Sequence, residues 1–230
     1  TIDGRPIKVD GNPDHPVNRG ASSSFMQAGI LSLYDPDRLR APLRDGGAIS
    51  WAQADEEIVA ALRKASSVVL MTRAVLGPSE RSLVRRFLSL CRNGRHVVHE
   101  TAQDTARRSA WKSLYGQEGV WEPVIGAARR IVSFDSDFLG TDGAVLEHIR
   151  GYAGARRLDD TRHQEADLPR LYVFESVFTV TGSNADHRVA LRPSAMAGVA
   201  AGFRRTLAGS PDALREVSER YKLPFDVLHR

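Results

Sequence analysis

Five residues, Leu171-Tyr172-Val173-Phe174-Glu175, form a continuous apolar run that ends on a carboxylate. A short run of aromatic and β-branched residues is typical of a strand buried on both faces, as in a parallel sheet. Similar runs occur earlier in the chain, and stretches with helical periodicity separate them. We therefore predict four strands, at Val68–Thr72, His96–His99, Arg130–Asp135 and Leu171–Glu175.

Helices are predicted between these strands and after the last one. Right-handed crossovers would then give an α/β fold, a Rossmann-like parallel sheet with flanking helices, whose site would lie at the carboxyl ends of the strands. We expect Ser210 to cap the last of these helices. The predicted helices are Ser79–Cys91, Asp104–Tyr115, Thr141–Ala155, Ser194–Leu207 and Pro211–Tyr221.

A small strand-turn-helix segment precedes the α/β region. We predict a short strand at Arg5–Asp10, a turn rich in Gly and Pro, and a helix that Ser24 caps and that continues through Leu33. Ser50 and Gln53 have the spacing of a capping box, which opens a helix to about residue 65. The predicted parts are residues 1–48, a Rossmann-like domain 49–207 and a helical segment 208–230, and we expect both ends to lie inside a longer polypeptide.

Composition excludes several classes of function. The chain has 230 residues, of which 42% are hydrophobic, so it is long enough for one or two globular domains. Its 32 basic and 28 acidic residues leave a net charge of +4 that is spread along the chain, which argues against a nucleic-acid surface. No apolar run approaches the roughly 18 residues that span a bilayer, so we expect no direct membrane span.

Metal and nucleotide motifs are missing from the sequence. The single cysteine, Cys91, cannot hold an iron-sulfur cluster, which takes about four cysteine thiolates. His96 and His99 would point to opposite faces of a strand, which makes joint metal coordination awkward. Neither a Gly-x-Gly-x-x-Gly loop nor a P-loop follows a predicted strand, and no serine nucleophile or catalytic triad is visible. We therefore assign no metal and no catalytic residues.

Acids at the ends of two predicted strands are the candidate remains of a dinucleotide pocket. Glu175 closes the last strand, and Asp135 and Asp137 close the one before it. In this architecture such an acid can accept hydrogen bonds from a ribose or a guanine edge. The alternative is that these acids cap the following loop and pair with nearby arginines.

Several motifs together resemble the molybdopterin oxidoreductase family. They are the turn Gly11-Asn12-Pro13-Asp14-His15-Pro16, the segment Tyr34-Asp35-Pro36-Asp37-Arg38 and the ordered series Glu175, Thr181, Ala185-Asp186 and Arg192-Pro193. The likeness covers nearly the whole chain and is closest to the iron-sulfur subunit of alternative complex III, a quinol:electron-acceptor oxidoreductase. Where the family places the last cysteine of an iron-sulfur site, this chain has Gly20-Ala21-Ser22-Ser23-Ser24-Phe25-Met26-Gln27-Ala28.

The resemblance implies a cofactor-free domain of a respiratory electron-transfer complex, which would be a non-catalytic part of an oxidoreductase. Iron-sulfur clusters would sit in a ferredoxin-like domain of the same parent chain, and other subunits of the complex would be partners, on the periplasmic side of the inner membrane. The vestigial pocket would comprise Asp135, Glu175, Thr181, Asp186 and Arg192.

Two other hypotheses stay open. The chain could be part of an active molybdenum or tungsten enzyme that binds molybdopterin guanine dinucleotide, with its metal ligand elsewhere. It could also be a module that binds an anion or a nucleotide near Glu175 and Arg192.

Overall fold

The computed structural model describes residues 2–101, 104–119, 121–158 and 168–224. These residues form two compact units. The terminal unit combines Thr1–Ile30 with Glu122–Arg230, and the inserted unit is Leu31–Trp121. Each unit contains a parallel sheet flanked by helices, which confirms the predicted α/β class. The predicted divisions at residues 48 and 207 stay predictions.

The inserted unit begins with a two-stranded hairpin and continues with alternating helices and strands. Asp45 and Gly46 take positive φ angles of 49° and 81°, as a tight hairpin turn requires of its two central residues. The strands β3 and β4 pair in parallel. The elements are β1 Leu43–Arg44, β2 Gly47–Ala48, α2 Trp51–Lys64, β3 Val68–Thr72, α3 Pro78–Ser89, β4 Gly94–Val98 and α4 Thr105–Tyr115.

The predicted capping box at the start of α2 is confirmed. The Ser50 hydroxyl accepts a hydrogen bond from the backbone N–H of Gln53 at 3.3 Å, and the Gln53 side-chain oxygen accepts one from the Ser50 N–H at 3.0 Å. Two of the free N–H groups at this helix end are thereby satisfied.

The terminal unit is built on a three-stranded parallel sheet in the order β5-β6-β7, so β6 lies in the middle. Its first helix is α1 Ser24–Ala28, and the 3₁₀ helix Gly29–Leu33 that follows runs past Ile30 into the sequence of the inserted unit. The other elements are the 3₁₀ helix Ile125–Ala127, β5 Arg130–Phe134, α5 Val145–Ala155, β6 Arg170–Glu175, α6 Val180–Ser183, β7 His187–Ala190, α7 Pro193–Leu207 and α8 Ala213–Tyr221.

Strand β6 is buried on both faces, as its apolar run predicts. Tyr172 and Phe174 pack into one hydrophobic cluster with residues from β7, α7 and α8. Leu171 and Val173 point to the opposite face and pack with residues from β5, α5 and the loop between them. The core of the terminal unit therefore lies on both sides of this single strand.

Two further contacts hold the terminal unit together. Helices α7 and α8 approach closely because Gly202 has no side chain, and a Cβ at this position would overlap the Val217 side chain. In α5, the Arg150 guanidinium donates hydrogen bonds to the carbonyl oxygens of Val17 at 3.3 Å and Arg19 at 3.4 Å, and also to that of Asn18. The N-terminal segment is thus attached to a helix far along the chain.

Several predicted elements near the N-terminus differ from the structure. Arg5–Asp10 forms no strand, because its only pairing is one isolated bridge between Ile2 and Arg5 and a strand needs a continuous partner. Ser23, and not Ser24, caps the first helix, through a hydrogen bond from the Met26 N–H at 3.2 Å. That helix is also shorter than predicted, since it tightens into a 3₁₀ helix from Gly29.

Other differences concern the sheet and the last helix. The four predicted strands of the α/β region exist but fall into two sheets, and the structure adds β7 and the hairpin of β1 and β2, which the sequence analysis missed. Asp212, and not Ser210, precedes the first turn of α8, and it makes no side-chain capping bond. Residues 225–230 of the predicted C-terminal segment lie outside the described residues.

We expect Gly202→Ala to lower the free energy of unfolding by about 1–3 kcal/mol, because the added methyl group forces α7 away from Val217. Gly154→Ala in α5 is the matched control, since a Cβ there meets open space. The control should gain about 0.5–1 kcal/mol from the lower chain entropy of alanine. Urea denaturation of the 230-residue chain measures both, and equal effects at the two positions would contradict the close approach of the helices.

Candidate functional site

The carboxyl edge of the β5-β6-β7 sheet is the place where a Rossmann-like fold carries its site. Asp135 directly follows β5 and has a positive φ of 50°. Its carboxylate accepts hydrogen bonds from the Ser176 N–H at 2.9 Å and the Ser176 hydroxyl at 2.8 Å. Asp135 therefore connects the loop after β5 to the loop after β6. This is a structural role, as in the alternative in which these acids cap loops.

Glu175 ends β6 and is almost completely buried, with 1% of its side chain exposed. Its carboxylate forms an ion pair with the Nε of Arg188 and accepts a hydrogen bond from the Thr179 hydroxyl at 2.6 Å. Gly182 packs against the same carboxylate so closely that any Cβ there would overlap its oxygen atoms. The acid therefore points into the protein, and its oxygens are already bound.

Arg188 is the partner that sequence reasoning missed. It lies on β7, and its guanidinium stacks over the ring of Phe178, with Cζ 4.7 Å from the ring centroid. The register of β6 and β7 pairs Glu175 with Ala190, so Arg188 lies two residues earlier on the same face of the sheet. A buried carboxylate calls for a nearby cation, but the sequence alone does not show which arginine the strand register brings to it.

Thr181 is fully buried and fixes the loop after β5. Its N–H and its hydroxyl both donate hydrogen bonds to Asp137 Oδ1, each at 2.9 Å. The Thr181 hydroxyl in turn accepts a hydrogen bond from the Leu139 N–H at 2.9 Å. Asp137 and Thr181 therefore connect the loop after β5 with the segment after β6.

Asp186 lies at the opposite, amino-terminal edge of the sheet. Its carboxylate accepts two hydrogen bonds from the Arg156 guanidinium, at 2.7 and 2.9 Å, and one from the Leu171 N–H at 2.8 Å. Burial disfavours the charged form, but these hydrogen bonds outweigh it and hold the pKa of Asp186 below its usual value. The hydrogen bond with Asp186 also raises the pKa of Arg156.

Arg192 follows β7 at the carboxyl edge and begins α7. Its backbone oxygen accepts a hydrogen bond from the Ala195 N–H at 2.9 Å, while its side chain is exposed. The structure therefore brings Asp135, Glu175 and Thr181 together, places Arg192 at the same edge and places Asp186 away from them.

A cleft of about 490 Å³ lies beside these loops within the terminal unit. Most of its wall is apolar, but three consecutive serines also line it. They belong to the segment where the resemblance would place a cluster-binding cysteine. The lining side chains include Val17, Phe25, Met26, Leu139, Val145, Ile149 and Val180, together with Ser22, Ser23 and Ser24.

The described residues contain no group of three or more His, Cys, Asp or Glu side chains that could hold a metal ion. His96 contacts the Thr72 hydroxyl through Nε2 at 2.7 Å, and His99 lies just beyond β4, where its N–H donates to the Thr72 carbonyl oxygen at 2.9 Å. Cys91 is partly buried in the inserted unit, with its Sγ 3.4 Å from the Phe87 carbonyl oxygen.

Molybdopterin guanine dinucleotide does not fit the residues at this edge as they stand. A bound guanine or ribose needs an accessible acid, but Glu175 is enclosed and Asp135 and Asp137 are bound to neighbouring loops. An iron-sulfur cluster does not fit the serine segment either, because hydroxyl groups replace the thiolates that such a cluster requires.

Comparison with protein-family models finds none that matches the chain. Among curated proteins, it is 25% identical over 216 residues to the menaquinone reductase, molybdopterin-binding-like subunit of Nitratidesulfovibrio vulgaris. That alignment covers 90% of this chain and 30% of the subunit, so the chain spans about a third of the length of this relative.

Two shorter matches are also to oxidoreductases. The chain is 45% identical over 42 residues to a sulfite dehydrogenase subunit of Allochromatium vinosum, which is 18% of this chain and 4% of that protein. It is 38% identical over 66 residues to the probable oxidoreductase YyaE of Bacillus subtilis, which is 27% of this chain and 10% of that protein. A likeness to oxidoreductases is confirmed at this coarse level, and the relative that aligns over 90% of the chain is named as molybdopterin-binding-like.

We expect Arg188→Met to lower the free energy of unfolding by about 2–3 kcal/mol, because it leaves the buried Glu175 carboxylate without its cation. The double variant Glu175→Gln/Arg188→Met should recover a large part of this loss, since the remaining amide carries no charge. Urea denaturation at pH 7 measures both. A double variant that is no more stable than Arg188→Met alone would argue against an unpaired buried charge as the cause.

We expect Asp186→Asn to lower the free energy of unfolding by about 1–2 kcal/mol at pH 7, since the pair with Arg156 is partly exposed. The pKa of Asp186 is lower in the folded protein, so its stabilisation is complete above the unfolded pKa of about 4 and is lost as the pH falls through the folded pKa. The difference from the unchanged chain should therefore shrink in acid.

Urea denaturation between pH 7 and pH 3 tests this dependence. Glu219→Gln, at an exposed position of α8, is the control and should change stability by less than about 0.5 kcal/mol at every pH. A loss for Asp186→Asn that grows as the pH falls would contradict the assignment.

Proposed function

We propose that this chain is a molybdopterin-oxidoreductase-like scaffold domain, without a cofactor of its own, in a quinone-linked respiratory electron-transfer complex. The relative that aligns over 90% of the chain is named as the molybdopterin-binding-like subunit of a menaquinone reductase. The iron-sulfur subunit of alternative complex III is the more specific assignment that we propose from the sequence motifs.

The main support for a domain without a pterin is the environment of Glu175. Its carboxylate is enclosed by Arg188, Thr179 and Gly182. A nucleotide that used this acid would have to break a buried ion pair and leave Arg188 without its partner. Breaking such a pair costs on the order of several kcal/mol. The arrangement stabilises the sheet edge, and it favours a structural role over cofactor binding.

The same proposal assigns electron transfer to other parts of the complex. The cleft segment has serines in place of cluster ligands, and Cys91 alone cannot bind a cluster. Iron-sulfur clusters would be held by a ferredoxin-like domain of the parent chain, and quinol oxidation would take place at a partner subunit. The domain would provide a rigid surface for these neighbours.

We also propose a place on the periplasmic side of the inner membrane, by the resemblance alone. No helix in the described ranges combines the length and the apolar character that crossing a bilayer demands.

A second candidate is part of an active molybdenum or tungsten enzyme. The specific observation in its favour is the match to the sulfite dehydrogenase subunit, which reaches 45% identity over 42 residues. The exposed Arg192 at the carboxyl edge would then be available to an anionic group of the cofactor. In this case the metal ligand and a second pterin-binding domain would lie elsewhere in the protein.

Elemental analysis for molybdenum, tungsten and iron, with pterin fluorescence after oxidation, separates the two candidates. The sample is the full-length protein in its complex, purified from its own cells. We expect iron without molybdenum, tungsten or pterin, because the clusters belong to the complex and the sheet edge is closed. Stoichiometric pterin together with either metal would reject the scaffold assignment and support the enzyme.

A further inference from the structure

His148 is a buried histidine on α5 that the proposed function does not use. Only 4% of its side chain is exposed, and its ring meets the Phe138 ring edge to face, with the two centroids 6.1 Å apart. Its polar neighbours are Glu122 and the loop between β5 and α5, residues 135–144. A buried imidazole has two ring nitrogens, and each of them needs a hydrogen-bond partner.

The Nδ1 atom of His148 carries a hydrogen. It lies 3.2 Å from the carbonyl oxygen of Phe138. A carbonyl oxygen can only accept a hydrogen bond, so Nδ1 must donate. In a neutral imidazole the other nitrogen then has no hydrogen and is an acceptor. The position that gains or loses a proton is therefore Nε2.

The Nε2 atom faces a carboxylate. Glu122 Oε2 lies 3.3 Å from it, yet Nε2 is buried and forms no hydrogen bond. With a neutral ring two acceptors face each other, which leaves a buried polar atom unsatisfied. A proton on Nε2 converts this contact into a charge-assisted hydrogen bond. The Glu122 side chain is 49% exposed, so a rotation about its own bonds can bring the carboxylate into line with the ring.

Gly143 brings the loop between β5 and α5 close to this contact. Its φ is +69°, and a Cβ at this position would lie 3.0 Å from His148 Cε1 and 3.1 Å from Glu122 Oε2. Glycine lets the backbone approach both side chains without overlap. Gly143 also lines the cleft, together with Leu139 and Thr141 of the same loop. The protonation of His148 therefore acts on a wall of the cleft.

Glu122 is the carboxylate that can stabilise a charge on His148. The 3₁₀ helix Ile125–Ala127, which packs against α5, has no titratable side chain. The other titratable groups of the loop and of α5 are bound elsewhere or face solvent: Asp135 is bound to Ser176, Asp137 to Thr181, Asp142 to Ser136, Arg150 to Val17 and Tyr152 to Asn184, and Glu147 is exposed.

We propose that His148 is a proton-sensitive latch. With both nitrogens protonated, the ring connects Glu122 to the Phe138 carbonyl oxygen and holds the loop between β5 and α5 closed. Loss of the Nε2 proton removes the bond to Glu122 and loosens the loop. The loop is therefore held in mild acid and released as the pH rises through the range in which histidines change charge, about pH 5 to 8.

The latch is independent of the proposed function, because it uses none of the residues that enclose Glu175. Stoichiometric pterin in the complex would remove the scaffold assignment and leave the latch standing. A loop that does not respond to pH would remove the latch and leave the scaffold assignment standing.

Hydrogen-deuterium exchange of the full-length protein in its complex, at pH 6 and pH 8, tests the latch. The rates are corrected for the intrinsic pH dependence of amide exchange. We expect peptides that cover residues 135–144 to exchange at least about tenfold faster at pH 8, the factor that corresponds to the loss of one hydrogen bond between charged groups. Peptides of the buried strand β6 are the internal reference and should change by less than about twofold.

Substitutions identify the groups that respond. Glu122→Gln should reduce the difference between the two pH values to less than about twofold, because an amide can donate to the neutral ring and accept from the charged one. Glu147→Gln, at the exposed position just before His148, is the matched control and should keep the full difference. Gly143→Ala should give fast exchange at both pH values, since its Cβ pushes the ring and the carboxylate apart.

Three results would overturn the proposal. Equal exchange of the loop at pH 6 and pH 8 in the unchanged protein would show that no proton acts on it. Slower exchange at pH 8 would show that the neutral ring is the form that holds the loop. A pH dependence that persists in Glu122→Gln would assign the proton to another group.

Discussion

The terminal unit depends on one buried charge, the Glu175 carboxylate at the end of its central strand. A charge in that position is tolerated only with a cation and hydrogen-bond donors close by. Arg188 supplies the cation from β7, and Thr179 supplies a hydroxyl from the turn before α6. These two requirements fix the register of β7 against β6 and the path of the connection between them. The polar groups at this edge consequently bind one another and stabilise the sheet.

Local sequence patterns predicted the helices and strands well, but they did not predict which residues pack against those elements. The apolar run of β6 and the pair Ser50 and Gln53 act over a few neighbouring residues, so the sequence predicted them correctly. Strand β7 was missed because its four residues include only one buried side chain, Val189. The Arg188 partner of Glu175 could not be identified either, since the strand register that joins them is a property of the folded chain.

Contacts between distant residues also decide the candidate site and the cover of the two sheets, so local patterns could not predict these either. Asp186 belongs to the same motif as Thr181, yet the chain returns to the amino-terminal edge before β7 begins, so the two residues end on opposite sides of the sheet. Val68–Thr72 is as apolar as the strand that ends at Glu175, but its residues alternate between partly buried and exposed, whereas Leu171–Glu175 is buried throughout. Hydrophobic periodicity predicts a strand, and it does not specify what covers that strand.

The attachment of Arg150 to the carbonyl oxygens of Val17 and Arg19 has a consequence for biosynthesis. More than 130 residues separate these partners, and the whole inserted unit lies between them. A ribosome that adds about 5–20 residues per second needs on the order of ten seconds to produce that length. During this interval the N-terminal segment lacks its helix, and water takes the place of Arg150 at the carbonyl oxygens of Val17 and Arg19.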